Sequence, residues 1–175
     1  FTLSLFLPIS LIRWAYIFIM HLAGGVGMYM LLQIILSETS KKRGGVRAIS
    51  IVGALFYQYN LATLQQFFLP FEVFVIHFAS LPWLLYTAHN FIKSGTRQGM
   101  IALTFVFLLS LPQAYVPTLF IVSVIALLIF LTATILMSAG RKIVIKRAGV
   151  ILLTAIVINA YWGFPFAYTT LTNSQ

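Results

Sequence analysis

The sequence contains no cysteine and no aspartate. Without cysteine there is no disulfide framework, no thiolate nucleophile and no cysteine-ligated zinc, and the redox compartment stays open. Glutamate occurs twice, as Glu38 and Glu72, so a relay of membrane-buried carboxylates in series has no material here. Charged residues make up 7% of the 175 positions and hydrophobic ones 61%, whereas a soluble domain averages about 25% and about 45–50%. Such a chain has too little polar surface to cover itself in water. No internal repeat, low-complexity segment or separate soluble domain is visible, and residues 1–175 read as a single transmembrane helical domain. The chain opens on Phe1 without the charged start of a signal peptide, and it is expected to be a segment of a longer polypeptide.

What the chain does have is cationic charge in clusters. Ten of the eleven Lys and Arg residues fall into three: Lys41, Lys42, Arg43 and Arg47; Lys93 and Arg97; Arg141, Lys142, Lys146 and Arg147. About 45 residues separate consecutive clusters, enough for two crossings of about 20 residues each and a turn. Lys and Arg in short loops stay cytoplasmic during insertion. The spacing therefore predicts an all-α fold, a polytopic transmembrane helix bundle of about six spans with short basic cytoplasmic loops, in the plasma membrane. The net charge of +9 does not signal nucleic acid, because the cations sit in juxtamembrane turns rather than on one amphipathic face. Membrane lipids are the expected partners of these turns.

The expected spans run about 13–36, 48–69, 70–92, 99–116, 117–139 and 148–166, each near the length a bilayer needs. Residues 1–12, interrupted by Pro8, are expected to lie at the interface, and Pro70 to open the third helix. The fourth segment meets Pro112 after about a dozen residues, a rise of about 18 Å, so it must kink there, continue to Val116 or end as a half-helix. Trp14, Tyr16, Tyr57, Tyr59, Tyr115, Tyr161, Trp162 and Tyr168 all fall near the ends opposite the basic turns, where amphipathic rings collect at headgroup level.

A few residues invite a chemical role beside a structural one. Arg13 is the one cation outside the clusters. It either binds phosphate through its planar fork, or snorkels to a headgroup, or pairs with Glu72. Glu72 suits the first turn of a helix, where the dipole stabilises a carboxylate, and is otherwise a counter-ion. Glu38, among Lys41, Lys42 and Arg43, is expected to be solvated. Gln58 and Gln65, seven residues apart, would share a face of the second helix, either as interhelical glue or, with Tyr57, as a sugar-binding surface. His21, His77 and His89 have no His-x-x-x-His spacing, so no metal ligands are assigned and interhelical hydrogen bonds are expected. Ala23, Gly24, Gly25 and Gly27 lie mid-helix, where small residues let backbones approach closely.

The stretch HLAGGVGMYMLL over 21–32, the basic turn after it, RAISIVGALFY over 47–57, and Phe68-Leu69-Pro70 together resemble the interior of large polytopic GT-C glycosyltransferases. The resemblance covers about residues 20–70. It implies sugar transfer from a polyprenyl-phosphate-linked donor on the extracytoplasmic face. The family's catalytic carboxylate lies in an early outer loop, commonly as aspartate; this sequence has none, so no catalytic residue is assigned and no cofactor is identified. The expected substrate-binding residues are Arg13, Glu72, Gln65, Trp14 and Tyr57, around an outer-face cleft. Two other classes stand beside this one: a transporter or flippase bundle, which the broken fourth segment suits, and a non-catalytic subunit of a larger membrane complex. The expected partners are membrane lipids, a polyprenyl-phosphate sugar, and the remainder of a longer chain or other membrane subunits.

Overall fold

The computed structural model describes residues 8–39, 43–68 and 71–172. They form α1 (Ile9–Thr39), α2 (Arg43–Tyr59), α3 (Leu61–Phe68), α4 (Glu72–Ser94), α5 (Arg97–Ser110), a 3-10 turn (Leu111–Tyr115), α6 (Pro117–Met137) and α7 (Arg141–Thr172), with no strand among the described residues. Four segments are long and apolar enough to cross a membrane: α1, residues 97–115, α6 and α7. The 17 residues of α2 rise about 26 Å, short of a hydrocarbon core of about 30 Å. The 23 residues of α4 have the length, but Glu72, His77, His89, Asn90 and Lys93 dilute its apolar character.

That polarity has a structural reason, because α4 is the centre of the bundle. On one side it packs along α1; on the other, Leu84, Ala88, Phe91 and Ile92 join Leu103 and Phe107 of α5, Leu127 and Leu131 of α6, and Val144, Ala148 and Ile151 of α7 in one core. Cross-contacts fix the directions. Arg13 meets Glu72 near the start of α1 and α4, while Glu38 meets His89 at 3.0 Å and Lys93 at 3.1 Å near their other ends, so these helices run parallel. Against α1, α2 runs the other way: Gln58 lies at Gly25 and Leu32 at Gly53.

The turns that follow α1, α4 and α6 therefore gather at one end of the bundle. There the Arg147 guanidinium donates to the carbonyls of Ile92 at 2.5 Å and Lys93 at 2.9 Å. Those carbonyls are among the last of α4, with no intrahelical partner of their own, and a cation suits the negative end of a helix dipole. Gly95 closes α4 in the left-handed region (φ 63°), its N–H bonded to the Phe91 carbonyl, and a side chain there would also collide with Arg147.

Several boundaries differ from expectation. The interfacial stretch is not separate from Ile9 onward: α1 already begins there, with the Pro8 carbonyl accepting from Leu11 and Ile12; residues 1–7, Lys41, Lys42 and Pro70 lie outside the described residues. The helix expected over 48–69 breaks at Asn60, whose side-chain oxygen accepts from the Thr63 N–H at 3.0 Å and so caps α3. Gln58 and Gln65 consequently do not share one helix face. The third basic cluster is not a loop but the first turns of α7, which continues through Pro165 to Thr172. The fourth segment gives up α geometry at Ser110, because Pro112 cannot donate to the ladder, and continues as the 3-10 turn. Glu38 is not simply solvated; it joins α1 to α4 through His89 and Lys93.

The glycines of α1 do what small residues in a bundle do. A side chain at Gly24 would enter the ring of Phe78, at Gly25 the Gln58 amide, and at Gly27 the edge of Trp83, which donates to the Ala23 carbonyl at 2.9 Å. Leucine at Gly24 or Gly27 should therefore lower stability by about 1–3 kcal/mol, read as a drop in the thermal midpoint of the purified protein in detergent. Alanine should do so less, by displacing only the facing ring. Unchanged midpoints in both leucine variants would mean that this face does not pack on α4.

Candidate functional site

Two regions away from the basic end carry chemistry. The first is the exposed pair where α1 and α4 begin. Arg13, in the second turn of α1, donates through Nε to Glu72 Oε1, with the two side chains 47% and 45% exposed. Glu72 is the first residue of α4, and Phe71 before it offers no side-chain cap. The carboxylate serves instead, bonding its own backbone N–H and the Arg13 guanidinium at the positive end of the helix dipole. An ion pair this exposed adds little stability, at most about 1 kcal/mol.

The other expected site residues do not converge equally on this pair. Trp14 follows Arg13 on α1 and is 45% exposed, its ring 6.3 Å from that of Phe18. Gln65 lies exposed on α3. Tyr57 is turned inward: its ring stacks on Phe78 with centroids 4.4 Å apart, and its hydroxyl donates to the Phe78 carbonyl at 2.8 Å. That carbonyl is the one Pro82, four residues on, cannot satisfy, because proline has no N–H. Tyr57 thus repairs a gap in the α4 ladder. Gln58, equally inward, donates to the His21 carbonyl at 3.3 Å, the interhelical one of its two expected roles.

The second region was not foreseen. A cavity of about 560 Å³ lies between α4, the α5 turn, α6 and α7. Its wall is apolar, with Phe107, Phe120, Leu127 and Leu152 among its residues, and the largely exposed Ile156 and Phe164 rim it. Polar groups are confined to Ser110, Gln113, Ser123, Asn159 and Trp162. Most are already committed. Ser110 donates to the Phe107 carbonyl, Asn159 to the Ala155 carbonyl, and Trp162 Nε1 to Asn159 Oδ1 at 2.9 Å.

Gln113 and Ser123 form a buried triangle with His77. Ser123 Oγ donates to Gln113 Oε1 at 2.8 Å, and His77 Nδ1 lies 3.0 Å from each. Ser123 has one proton, spent on Gln113, so Nδ1–H of His77 is the donor in the remaining contacts. His77 and His89 thus have the interhelical partners expected of them, Gln113 with Ser123 and Glu38 respectively. His21 Nδ1 is buried without a partner, its ring enclosed by Tyr59, Phe67 and Phe78. The cue for the triangle was in the sequence: Gln113 directly follows Pro112 in an apolar run, and Ser123 interrupts another. Only the tertiary fold shows that both face His77.

Replacing Ser123 by valine should cost about 1–3 kcal/mol, because His77 and Gln113 lose a shared partner while remaining buried. Threonine, which keeps the hydroxyl, should cost less. The thermal midpoint in detergent measures both, and equal midpoints for valine and wild type would show that the triangle contributes nothing.

Comparison with protein-family models, with curated proteins and with solved structures finds no match for this chain.

Proposed function

We propose that this chain is a membrane-embedded part of a GT-C-type glycosyltransferase that handles a polyprenyl-phosphate-linked sugar, without the catalytic carboxylate. Three layers of argument lead there. The composition and four apolar helices belong to an integral membrane protein. Its basic turns share one end of the bundle, which the cation rule assigns to the cytoplasm, with α2 and α4 completing six crossings in a plasma membrane. The opposite end carries the exposed Arg13–Glu72 pair, and this pair is the observation that supports the reading best.

Charge this close to hydrocarbon is costly unless paired or hydrated, and Arg13 offers a planar fork suited to phosphate. A lipid-linked phosphate would compete with Glu72 for the guanidinium, its isoprenoid tail lying along the helices and its sugar beyond Trp14. Glu72 then acts as a gate of charge, neutralising Arg13 until an anion with two or more oxygens displaces it. Gln65, exposed on α3, would extend the proposed surface, whereas Tyr57, turned inward onto Phe78, drops out of it. A transporter or flippase remains the second reading, supported by the 3-10 break at Leu111–Tyr115 within a membrane-length segment.

Two experiments bear on this. In the complete protein, Arg13→Gln should weaken binding of a polyprenyl phosphate at least about tenfold, the scale of one hydrogen bond to a charged group. Lysine should restore it only in part, lacking the fork. Wild-type affinity in Arg13→Gln would leave Arg13 a headgroup anchor and remove the phosphate site. For orientation, single cysteines at Ser94 and Ser138 should resist an impermeant thiol reagent in intact cells while one at Thr172 reacts. Labelling at Ser94 with protection at Ser138 would mean that residues 97–115 do not cross.

A further inference from the structure

The cavity between α4 and α7 is a different kind of site from the charged mouth, and it stands whether or not the chain takes part in glycosyl transfer. Its size falls within the range of small-molecule pockets, about 300–1,000 Å³, and its wall is almost wholly apolar. No Asp, Glu, Lys, Arg or His is among its lining residues. A phosphate or carboxylate head placed there would lose its hydration without a compensating cation, which is prohibitive.

One polar group in the wall is uncommitted. Gln113 is 4% exposed, its amide oxygen is held by Ser123 and His77, and its amide nitrogen has no partner among the described residues. That nitrogen is not sealed within protein, since His21 Nδ1 alone among the described residues is a fully buried side-chain polar atom without a partner; it is open to the cavity, where an acceptor brought in by water or a ligand can meet it. With its oxygen turned toward Ser123 and His77, the amide leaves its nitrogen for the cavity. The other polar groups of the wall already hold protein partners, Trp162 on Asn159 and Ser110 on Phe107. The site therefore presents two N–H hydrogens and an apolar sleeve. Ile156 and Phe164 of α7, which line it, are largely exposed and apolar, so a chain molecule dissolved in the bilayer can enter sideways past them.

We infer that this cavity binds a neutral chain molecule bearing one oxygen acceptor, a ketone, ester or ether, whose oxygen accepts from the Gln113 amide while the chain fills the space between α6 and α7. The chemistry is met by a free neutral lipid and by the ester carbonyl of a bilayer lipid whose acyl chain slips in.

The test uses the purified chain in detergent micelles, titrated by native mass spectrometry with thermal midpoint as a second readout. The probes are 2-pentadecanone, pentadecane and dodecyl phosphate. The ketone should bind at least tenfold more tightly than either the hydrocarbon or the phosphate. Gln113→Met, which keeps length and removes the donor, should reduce the ketone to the hydrocarbon's affinity and leave the hydrocarbon unchanged. Ala160→Phe, which fills the cavity from α7, should abolish both. Should Gln113→Met fail to fold, the wild-type probe series and Ala160→Phe decide. Equal binding of ketone and hydrocarbon, preference for the phosphate, or ketone binding retained in Ala160→Phe overturns the assignment. Given the expected result, competition by monoolein but not by dioleoyl phosphatidylcholine identifies a free neutral lipid as the source, and equal competition by both identifies the bilayer.

Discussion

A helix with His77, Thr87, His89 and a proline on its buried surface has to be enclosed by protein, and α4 is that helix. Its neighbours each repair one of its defects. Tyr57 of α2 supplies the donor that Pro82 lacks, and Arg147 of α7 takes the carbonyls at its C-terminal end. Glu38 of α1 meets His89, while Gln113 and Ser123 meet His77. In a medium without water every backbone and side-chain polar group must be satisfied internally.

The two candidate ligand regions differ in the physics of what they accept. Arg13 and Glu72 are half exposed, where solvent screens them and an incoming anion exchanges one carboxylate for another oxyanion at small cost. The cavity is the reverse: uncharged and almost wholly apolar in its wall, with the Gln113 amide as its proposed donor. Charge discriminates between ligands at the first and is excluded at the second. A molecule suited to one is unsuited to the other, so the bundle offers two separate chemical selectivities rather than one extended groove.

Much of the architecture was legible in the sequence, because the signals that encode it are local. Cation clusters at intervals of about 45 residues marked helix ends, the third in the first turns of α7 rather than in a loop, and those among the described residues gather at one end. Pro112 gave the break in the fourth segment, and Gly24 and Gly27 the close approach of α1 to its neighbour. The pairing of Arg13 with Glu72 was one of the readings open at the outset. Asn60 was legible only as a polar residue; that it ends one helix and caps the next depends on the Thr63 N–H standing three residues on. The inward turn of Tyr57 was hidden because it answers a carbonyl freed by a proline 25 residues away. The cavity was invisible for a related reason: apolar residues look alike in sequence whether they touch a neighbour or line a space.

The seat of Arg147 bears on how the bundle comes together during synthesis. Its partners, the terminal carbonyls of α4, are made well before α7 leaves the ribosome, so water must hold them in the meantime. When α7 docks, the guanidinium takes the place of that water and settles over Gly95, a position that only a residue without a side chain leaves open. The hairpin of α6 and α7 therefore acts as a latch across the basic end of α4.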